Sequence, residues 1–323
     1  MRAILVRRFG DPDVLQVGIA ARPDPGPGQV LVRVQVAGVN FSDTERRRAL
    51  YRVPALPWIP GNEAAGLVEA LGTGVNPSWL GARVAFWSFE GSGTYAEYAV
   101  APVNSLFRVP EAISLEVAAA LPVQGLTAYG LVHYATALAP GQSALVHAAA
   151  GGVGLLLVQL LRRRGVQVFG TASSASKLEL IREMGGIPLS YGPNVAAEIQ
   201  AVRGTPAVDA VFDSVGRSTQ AQSLSLLRLY GQLVFFGDAS GPPRPVDPDE
   251  LYGRSLGVRS FGLAAHPPEE LAQAREELLR MVDEGHLRVH IGHVLPLGEA
   301  SEAHRLLEGR RSHGKILLRM QSD

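Results

Sequence analysis

The chain has 323 residues and no cysteine. Disulfides, thiolate nucleophiles and every cysteine-based zinc site are therefore excluded. Lysine is almost missing as well: Lys177 and Lys315 are the only two, so arginine carries the positive charge. No excess of either sign exists, with 30 basic against 30 acidic side chains, and so no global field draws in nucleic acid or an anionic membrane. No apolar run approaches the ~20 residues needed to span a bilayer, and the opening MRAILVRRFGDPDVL lacks a signal-peptide pattern. Together these absences describe a soluble, cytoplasmic protein with neither nucleic-acid nor membrane partners. Internal repeats and low-complexity tracts are absent too.

What is present suits a well-buried globular chain, 46% hydrophobic and 19% charged. Its length exceeds the ~250 to 300 residues at which single cores stop growing, so two domains are expected. The first ~110 residues alternate short apolar stretches, such as QVLVRVQVAGV (29–39) and ARVAFW (82–87), with turn-rich pieces such as PDPGPG (23–28). That texture predicts an antiparallel β domain, a barrel being one form of it.

Further along, strands SALVHA (143–148), VQVFGT (166–171), AVDAVFD (207–213) and GQLVFFG (231–237) alternate with helical stretches, the last of them STQAQSLSLLRLY (218–230). Repeated βα alternation predicts an α/β fold with a doubly wound parallel sheet. The Pro/Gly-rich DASGPPRPVDPDELYG (238–253) reads as an exposed loop. A strand at 256–263, a helix at 268–285 and a strand-helix-strand tail complete the chain.

Within HAAAGGVG (147–154), the six residues from Ala149 to Gly154 match the dinucleotide fingerprint G-x-G-x-x-G, with alanine for its first glycine. The segment follows a predicted strand and opens a predicted helix, so Ala150, Gly151, Gly152, Val153 and Gly154 can turn backbone N–H groups toward a pyrophosphate. Close helix–strand packing without a ligand is the competing account. About 20 residues on, where an NAD site usually places Asp or Glu, the chain offers Thr171, Ser173, Ser174 and then Lys177. Hydroxyls and a cation with no carboxylate suit a 2′-phosphate, which points to NADPH.

Five segments, HAAAGGVG, VFDSVG (211–216), GVNFSDT (38–44), PGNEAAGLVEALGTGV (60–75) and GLTAYG (125–130), resemble the quinone oxidoreductase, or zeta-crystallin-like, branch of the medium-chain dehydrogenase/reductases. The resemblance runs the whole length in order. It implies a GroES-like catalytic domain at 1–120 completed by 263–323, a Rossmann domain at 121–262, NADPH as cofactor and a homodimer. Alcohol-oxidising relatives hold zinc with cysteines and the histidine of G-H-E, whereas this sequence reads Gly61-Asn62-Glu63. No metal is therefore expected. Without a Lewis acid the acceptor must delocalise its own charge, which implies hydride transfer to a quinone. An enone or enoyl-thioester reductase is the near alternative, and a non-catalytic NADPH-binding or RNA-binding role the distant one.

The resemblance also implies site residues. Asn40 lies beside the nicotinamide, to orient cofactor or substrate, unless it only makes a turn. Tyr51 lines the substrate cleft and either bonds the acceptor oxygen or walls the pocket. Gln124 and Thr127 approach the nicotinamide, and Tyr191 the 2′-phosphate end. Ser214, Val215 and Gly216 border the cofactor, while Phe236, Gly237, Phe261 and Gly262 offer backbone groups to the carboxamide. Elsewhere, His286, His290 and His293 have helical spacing, but LRVHIGHVLPL reads as a strand sending His290 and His293 to opposite faces, at the surface. The runs Arg46–Arg48 and Arg162–Arg164 read as solvated faces.

Overall fold

A computed structural model describes residues 1–88 and 93–320, and in it the chain divides into two compact units, Met1–Leu126 with His266–Asp323, and Thr127–Ala265. The chain runs through β1 (Arg2–Leu5), β2 (Gln16–Ile19), β3 (Gln29–Val39), α1 (Phe41–Arg47), β4 (Glu63–Leu71), β5 (Arg83–Trp87), β6 (Tyr98–Pro102), β7 (Phe107–Arg108), α2 (Leu115–Ala119) and α3 (Pro122–His133). It continues through β8 (Ser143–Val146), α4 (Gly152–Arg163), β9 (Gln167–Ala172), α5 (Ala175–Glu183), β10 (Ile187–Ser190), α6 (Val195–Arg203), β11 (Val208–Asp213), α7 (Gln220–Ser225), β12 (Leu227–Phe235), α8 (Pro248–Tyr252) and β13 (Gly257–Ser260). Last come α9 (Ala272–Asp283), β14 (Ile291–Pro296), α10 (Ala300–Glu308) and β15 (Lys315–Arg319).

In the first unit the long strand β3 is the organiser. It pairs antiparallel with β4, β6 and β15, and the sheet runs β14-β15-β3-β4-β5-β7. Alternation along QVLVRVQVAGV explains the placement: Val30, Val32 and Val34 enter the core with Ile316 and Leu318, while Arg33 and Gln35 face out. C-terminal β15 thereby brings Lys315 next to the end of β3, far from it in sequence.

The second unit is a six-stranded parallel sheet in the order β10-β9-β8-β11-β12-β13. Strands β8 and β11 are buried from end to end, as strands covered on both faces must be, and accordingly read as continuous apolar runs. Chain order reverses between β8 and β11. At such a switch point the loops leaving the carboxyl ends of neighbouring strands part in opposite directions and open a crevice.

Some expectations need correction. The helix expected over 218–230 stops at Ser225, because Leu227 pairs with Val208 and begins β12. Within β12, Tyr230 takes a positive φ of 62° and Gly231 follows it, a local irregularity no periodicity announces. The stretch 238–253 contains a short helix, α8, started by Pro248 and capped by the Asp247 carboxylate on the Asp249 N–H at 3.0 Å. His290 and His293 do not diverge: a register shift between Ile291 and His293 leaves both half-buried against His313, with ring centroids 5.0 and 5.6 Å away. Of the two arginine runs, Arg162 and Arg163 are exposed, but Arg46 and Arg47 are buried.

Candidate active site

In the second unit β8 ends at Val146, and the next eight residues make a bare bend into α4. Ala148 takes φ +52°, a conformation that costs a non-glycine residue about 1 kcal/mol. Three bonds hold it there. The Ala148 N–H donates to the Tyr191 hydroxyl at 2.8 Å, the Ala149 N–H to the Thr171 carbonyl at 3.0 Å, and the Gly151 N–H to the Ala148 carbonyl at 2.9 Å. Gly151 then caps α4 with no side chain, so the first amides of a 12-residue helix are left without a side-chain acceptor. Gly154 permits the close approach of helix to bend: a Cβ there would lie 2.7 Å from the Ala148 carbonyl oxygen and from Ala149 Cα.

Beneath the bend, His147 is fully buried, with Nδ1 3.0 Å from Thr171 Oγ1 and Nε2 unpartnered. Burial pushes its pKa down, with the Asp213 carboxylate opposing. The ring is therefore a neutral strut, stacked parallel to Tyr191 at 6.0 Å. On the neighbouring strand, β9 delivers Thr171 buried and then Ser173 and Ser174 exposed, with Lys177 half-buried in the first turn of α5. No acid occurs between Thr171 and Lys177. Tyr191, expected at the 2′-phosphate end, accepts the Ala148 N–H of the bend with its hydroxyl oxygen, which leaves its O–H able to donate.

Across the switch point, Asp213 builds the turn of VFDSVG. Its carboxylate accepts the Val215 N–H at 2.8 Å, the Gly216 N–H at 3.0 Å and the hydroxyls of Thr219 and Ser223. Ser214 and Val215 are half-buried above it. The Phe236 N–H donates to the Asp213 carbonyl at 3.0 Å and Gly237 packs on Ser214, so 214–216 and 236–237 form one ledge. Phe261 turns its ring onto Gly130 of α3, where no side chain could fit, while the space around Gly262 is open.

The first unit gathers charge in place of bare backbone. Asn40 precedes α1, and its N–H donates to Asp43 Oδ2 at 2.9 Å. Its amide is committed as well: Nδ2 donates to Glu63 Oε1 at 2.8 Å and Oδ1 accepts from Lys315 Nζ at 2.7 Å. Lys315 also pairs directly with Glu63, both buried. The other Glu63 oxygen accepts the Val123 N–H at 2.7 Å at the start of α3. One residue on, Gln124 is buried with Oε1 unpartnered, and Thr127 follows one turn later on the same face. A buried acceptor left bare calls for a donor from outside the protein.

Beside that cluster lies a second. Gly61, at φ +95° with Thr94 and Tyr95 packed where a Cβ would go, turns the chain so that Asn62 points inward. Asn62 Nδ2 donates to Asp43 Oδ1 and Oδ1 accepts from Arg46 Nη1, each at 2.6 Å. Tyr95 donates its hydroxyl to Asp43 at 3.1 Å and lies 3.3 Å from His304 Nε2. Complete burial raises the Asp43 pKa to about 6, and burial lowers that of His304 to about 3. Tyr51, half-buried, has the Arg52 guanidinium 5.8 Å from its ring centroid. Sequence reasoning marked Asn40, Asn62 and Tyr51 here but missed Asp43, Arg46, Glu63 and Lys315. One signal was available: Lys315 is the other lysine in an arginine-rich chain.

A parallel nucleotide-binding sheet joined to a polar, largely antiparallel unit defines a two-domain oxidoreductase of dehydrogenase type. Family models agree: residues 26–111 match the alcohol dehydrogenase GroES-like domain, and residues 190–318 the zinc-binding dehydrogenase family. A probable quinone oxidoreductase of Schizosaccharomyces pombe is 40% identical over 99% of this chain and 97% of its own. The Escherichia coli quinone oxidoreductase complexed with NADPH superposes with a TM-score of 0.93 at 33% identity, covering 99% of this chain and 100% of that one. A mycobacterial protein complexed with NADPH gives the same TM-score at 36% identity and the same coverage. The chain belongs to the quinone oxidoreductase branch of the medium-chain dehydrogenase/reductases.

Proposed function

We propose that this protein is an NADPH-dependent reductase that delivers a hydride to quinones without a metal. The observation that carries the reading is the glycine-lined bend at 148–154, where α4 opens without a side-chain cap, with Ser173 and Ser174 following the adjoining strand and Lys177 in the first turn of α5. When bound, NADPH supplies the hydride. The chain's part is to hold it: Ala150, Gly152, Val153 and Gly154 offer N–H groups to the diphosphate while Gly151, its N–H on the Ala148 carbonyl, shapes the bend, and the serines and Lys177 meet the 2′-phosphate. Val215, Phe236, Gly237, Phe261 and Gly262 contribute backbone toward the nicotinamide side. Gln124 Oε1 is suited to a carboxamide N–H, while Asn40, with both amide atoms already engaged, fixes the local geometry. Two relatives complexed with NADPH support this assignment.

A zinc ion does not fit the residues present. Asn62 stands where the zinc-binding histidine stands in alcohol-oxidising relatives, its amide is committed to Asp43 and Arg46, and the chain has no cysteine. A quinone needs no such Lewis acid, since the electrons it accepts collect on a conjugated oxygen. We place the protein in the cytoplasm as a homodimer, with small-molecule partners and neither membrane nor nucleic acid, on its balanced charge and its family resemblance; its mass in solution, by light scattering, tests the dimer. NADPH oxidation followed over ortho- and para-quinones, short enals and enoyl thioesters tests the reaction. Turnover of quinones, unchanged by exhaustive chelation, is the expected result. Activity confined to enals or thioesters, or lost on chelation and restored by zinc, would overturn it.

A further inference from the structure

Arg46 and Arg47 are adjacent buried guanidinium groups with different company. Arg47 has a carboxylate, Glu308, at 2.5 Å. Arg46 has none within ion-pair distance among the described residues. Its one hydrogen bond runs from Nη1 to the neutral amide of Asn62, which relays to Asp43 at 2.6 Å beyond. Its Nε is buried without a partner, as are Nε and Nη1 of the carboxylate-paired Arg47. The group is only 8% exposed, so this is not a solvated surface cation. Trp58 stacks beside it, with the guanidinium 4.9 Å from the ring centroid, and the Asp43 carboxylate attracts it from beyond Asn62.

A guanidinium has five donors in a fixed fork, and leaving a buried N–H of that fork unused is unfavourable unless an acceptor arrives. Stacking on Trp58 and the bond to Asn62 fix the plane of the fork, so little ordering is left for a ligand to impose. Tyr51 and Arg52 both lie near enough to act electrostatically on Arg46, and the Arg52 guanidinium is 5.8 Å from the Tyr51 ring centroid. The Nε–H lacks an acceptor, and an oxygen bearing negative charge would suit it best.

The geometry points to Arg46 as the electrostatic stabiliser of the quinone oxygen that gains negative charge during reduction, held in aim by Asn62. This rests on the quinone-reductase reading. In the step concerned, the C4–H bond of the nicotinamide breaks and its hydride, a proton with two electrons, forms a new bond to the quinone. The quinone is reduced, the dihydronicotinamide is oxidised, and a displaced electron pair settles on a quinone oxygen. A proton from water then completes the hydroquinone. Arg46 meets the charge before that proton arrives, at a fixed donor and in a largely desolvated setting where such contacts act most strongly. Asn62 touches no reacting atom and is a positioning residue.

The test pairs Arg46→Gln, which keeps a donor for Asn62 but removes the charge, with Arg46→Lys, which keeps charge but loses the fork. Rates are measured over quinones graded by reduction potential, with melting temperature and NADPH affinity alongside. Binding of 4-nitrophenolate, a phenolate seen by its absorbance, is titrated against pH. Arg46→Gln should lower kcat/KM by about a hundredfold for the weakest oxidants and much less for the strongest, with Arg46→Lys between. The wild type should favour bound nitrophenolate over nitrophenol, and Arg46→Gln should lose that preference at unchanged NADPH affinity. A loss equal across all quinones and tracking a fall in melting temperature would make Arg46 merely structural. An unaltered phenolate preference would also defeat the proposal. Should the wild type reduce no quinone yet bind nitrophenolate through Arg46, the reaction reading fails while the anion site stands.

Discussion

The polar cluster around Glu63 and the bend at 148–154 reach fixed geometry by opposite means. In the first unit, charges are taken out of water and locked by one another: Lys315, Glu63 and Asn40 form a closed triangle, and Asp43 collects Asn62, Tyr95 and the Asn40 N–H. In the second, side chains are withheld, and backbone atoms approach to distances only glycine tolerates. A buried ion cluster fails when one partner is neutralised, because the other charge is stranded. A bare bend is indifferent to charge and fails when a methyl group is added. The difference suits different tasks: the bend leaves amides free for a ligand, whereas the cluster commits most of its polar atoms to one another and leaves unpartnered, among others, Gln124 Oε1 and Arg46 Nε.

The largest expected effect tests the charged half. Lys315→Met strands Glu63, which is fully buried, and should cost about 3 to 5 kcal/mol in urea unfolding. Adding Glu63→Gln should restore more than half of that loss. If the two losses simply add, the pair is not the lock described here. Next comes the bare half: Gly154→Ala puts a Cβ against three backbone atoms that have no rotamer to yield, so α4 must move off the bend. NADPH affinity, followed by nicotinamide fluorescence, should fall at least about a hundredfold, some 2.7 kcal/mol. Near-native affinity would mean that the approach of helix to bend does not set the amides.

Smaller, and confined to one end of the ligand, is the effect of Lys177→Ala. Loss of one charge-assisted bond at ~1.5 to 3 kcal/mol should weaken NADPH about thirtyfold and leave NADH nearly untouched. Equal weakening of both would remove Lys177 from the 2′-phosphate site. Crossing the comparison sharpens it: Lys315→Met should leave the NADPH/NADH ratio alone, and Lys177→Ala should leave the urea midpoint alone.

The two halves also differed in how far they could be read from sequence. Strands β8, β9 and β11, the bend, and the hydroxyls before Lys177 are local signals, carried by consecutive apolar residues and by glycine spacing within one βαβ stretch. Asn62 was marked only by contrast with a histidine. The partners that give it meaning are set by tertiary pairing, and the Lys315–Glu63 pair spans 252 residues. No periodicity encodes such a pair. Arg46 shows the same limit from the other side: three successive arginines look solvated until Trp58 stacks on Arg46 and Glu308 of α10 takes Arg47. The α7–β12 boundary was misplaced because LLRLY suits a helix by local preference, and pairing of Leu227 with Val208 overrides it.

The smallest expected effect comes from two buried groups that oppose each other. His304, neutral when folded and held to about 3, meets an unfolded state that takes up a proton below about pH 6.5, so its contribution to stability is lost as pH falls from there toward 3. Asp43 works in the other direction: raised to about 6, it binds its proton more readily when folded, so stability is gained as pH falls through 6 toward 4. The two nearly cancel. Between pH 7 and 4.5, urea unfolding of the wild type should change by only about 1 kcal/mol from this pair. Asp43→Asn should expose a loss of about 3 kcal/mol on acidification, and His304→Gln a gain of about 2 kcal/mol. Both variants remaining flat would mean that neither group changes its proton affinity on folding, and the charged half would then owe its rigidity to hydrogen bonding alone. Gly154→Ala, which touches no titratable group, should retain the wild-type pH dependence of unfolding.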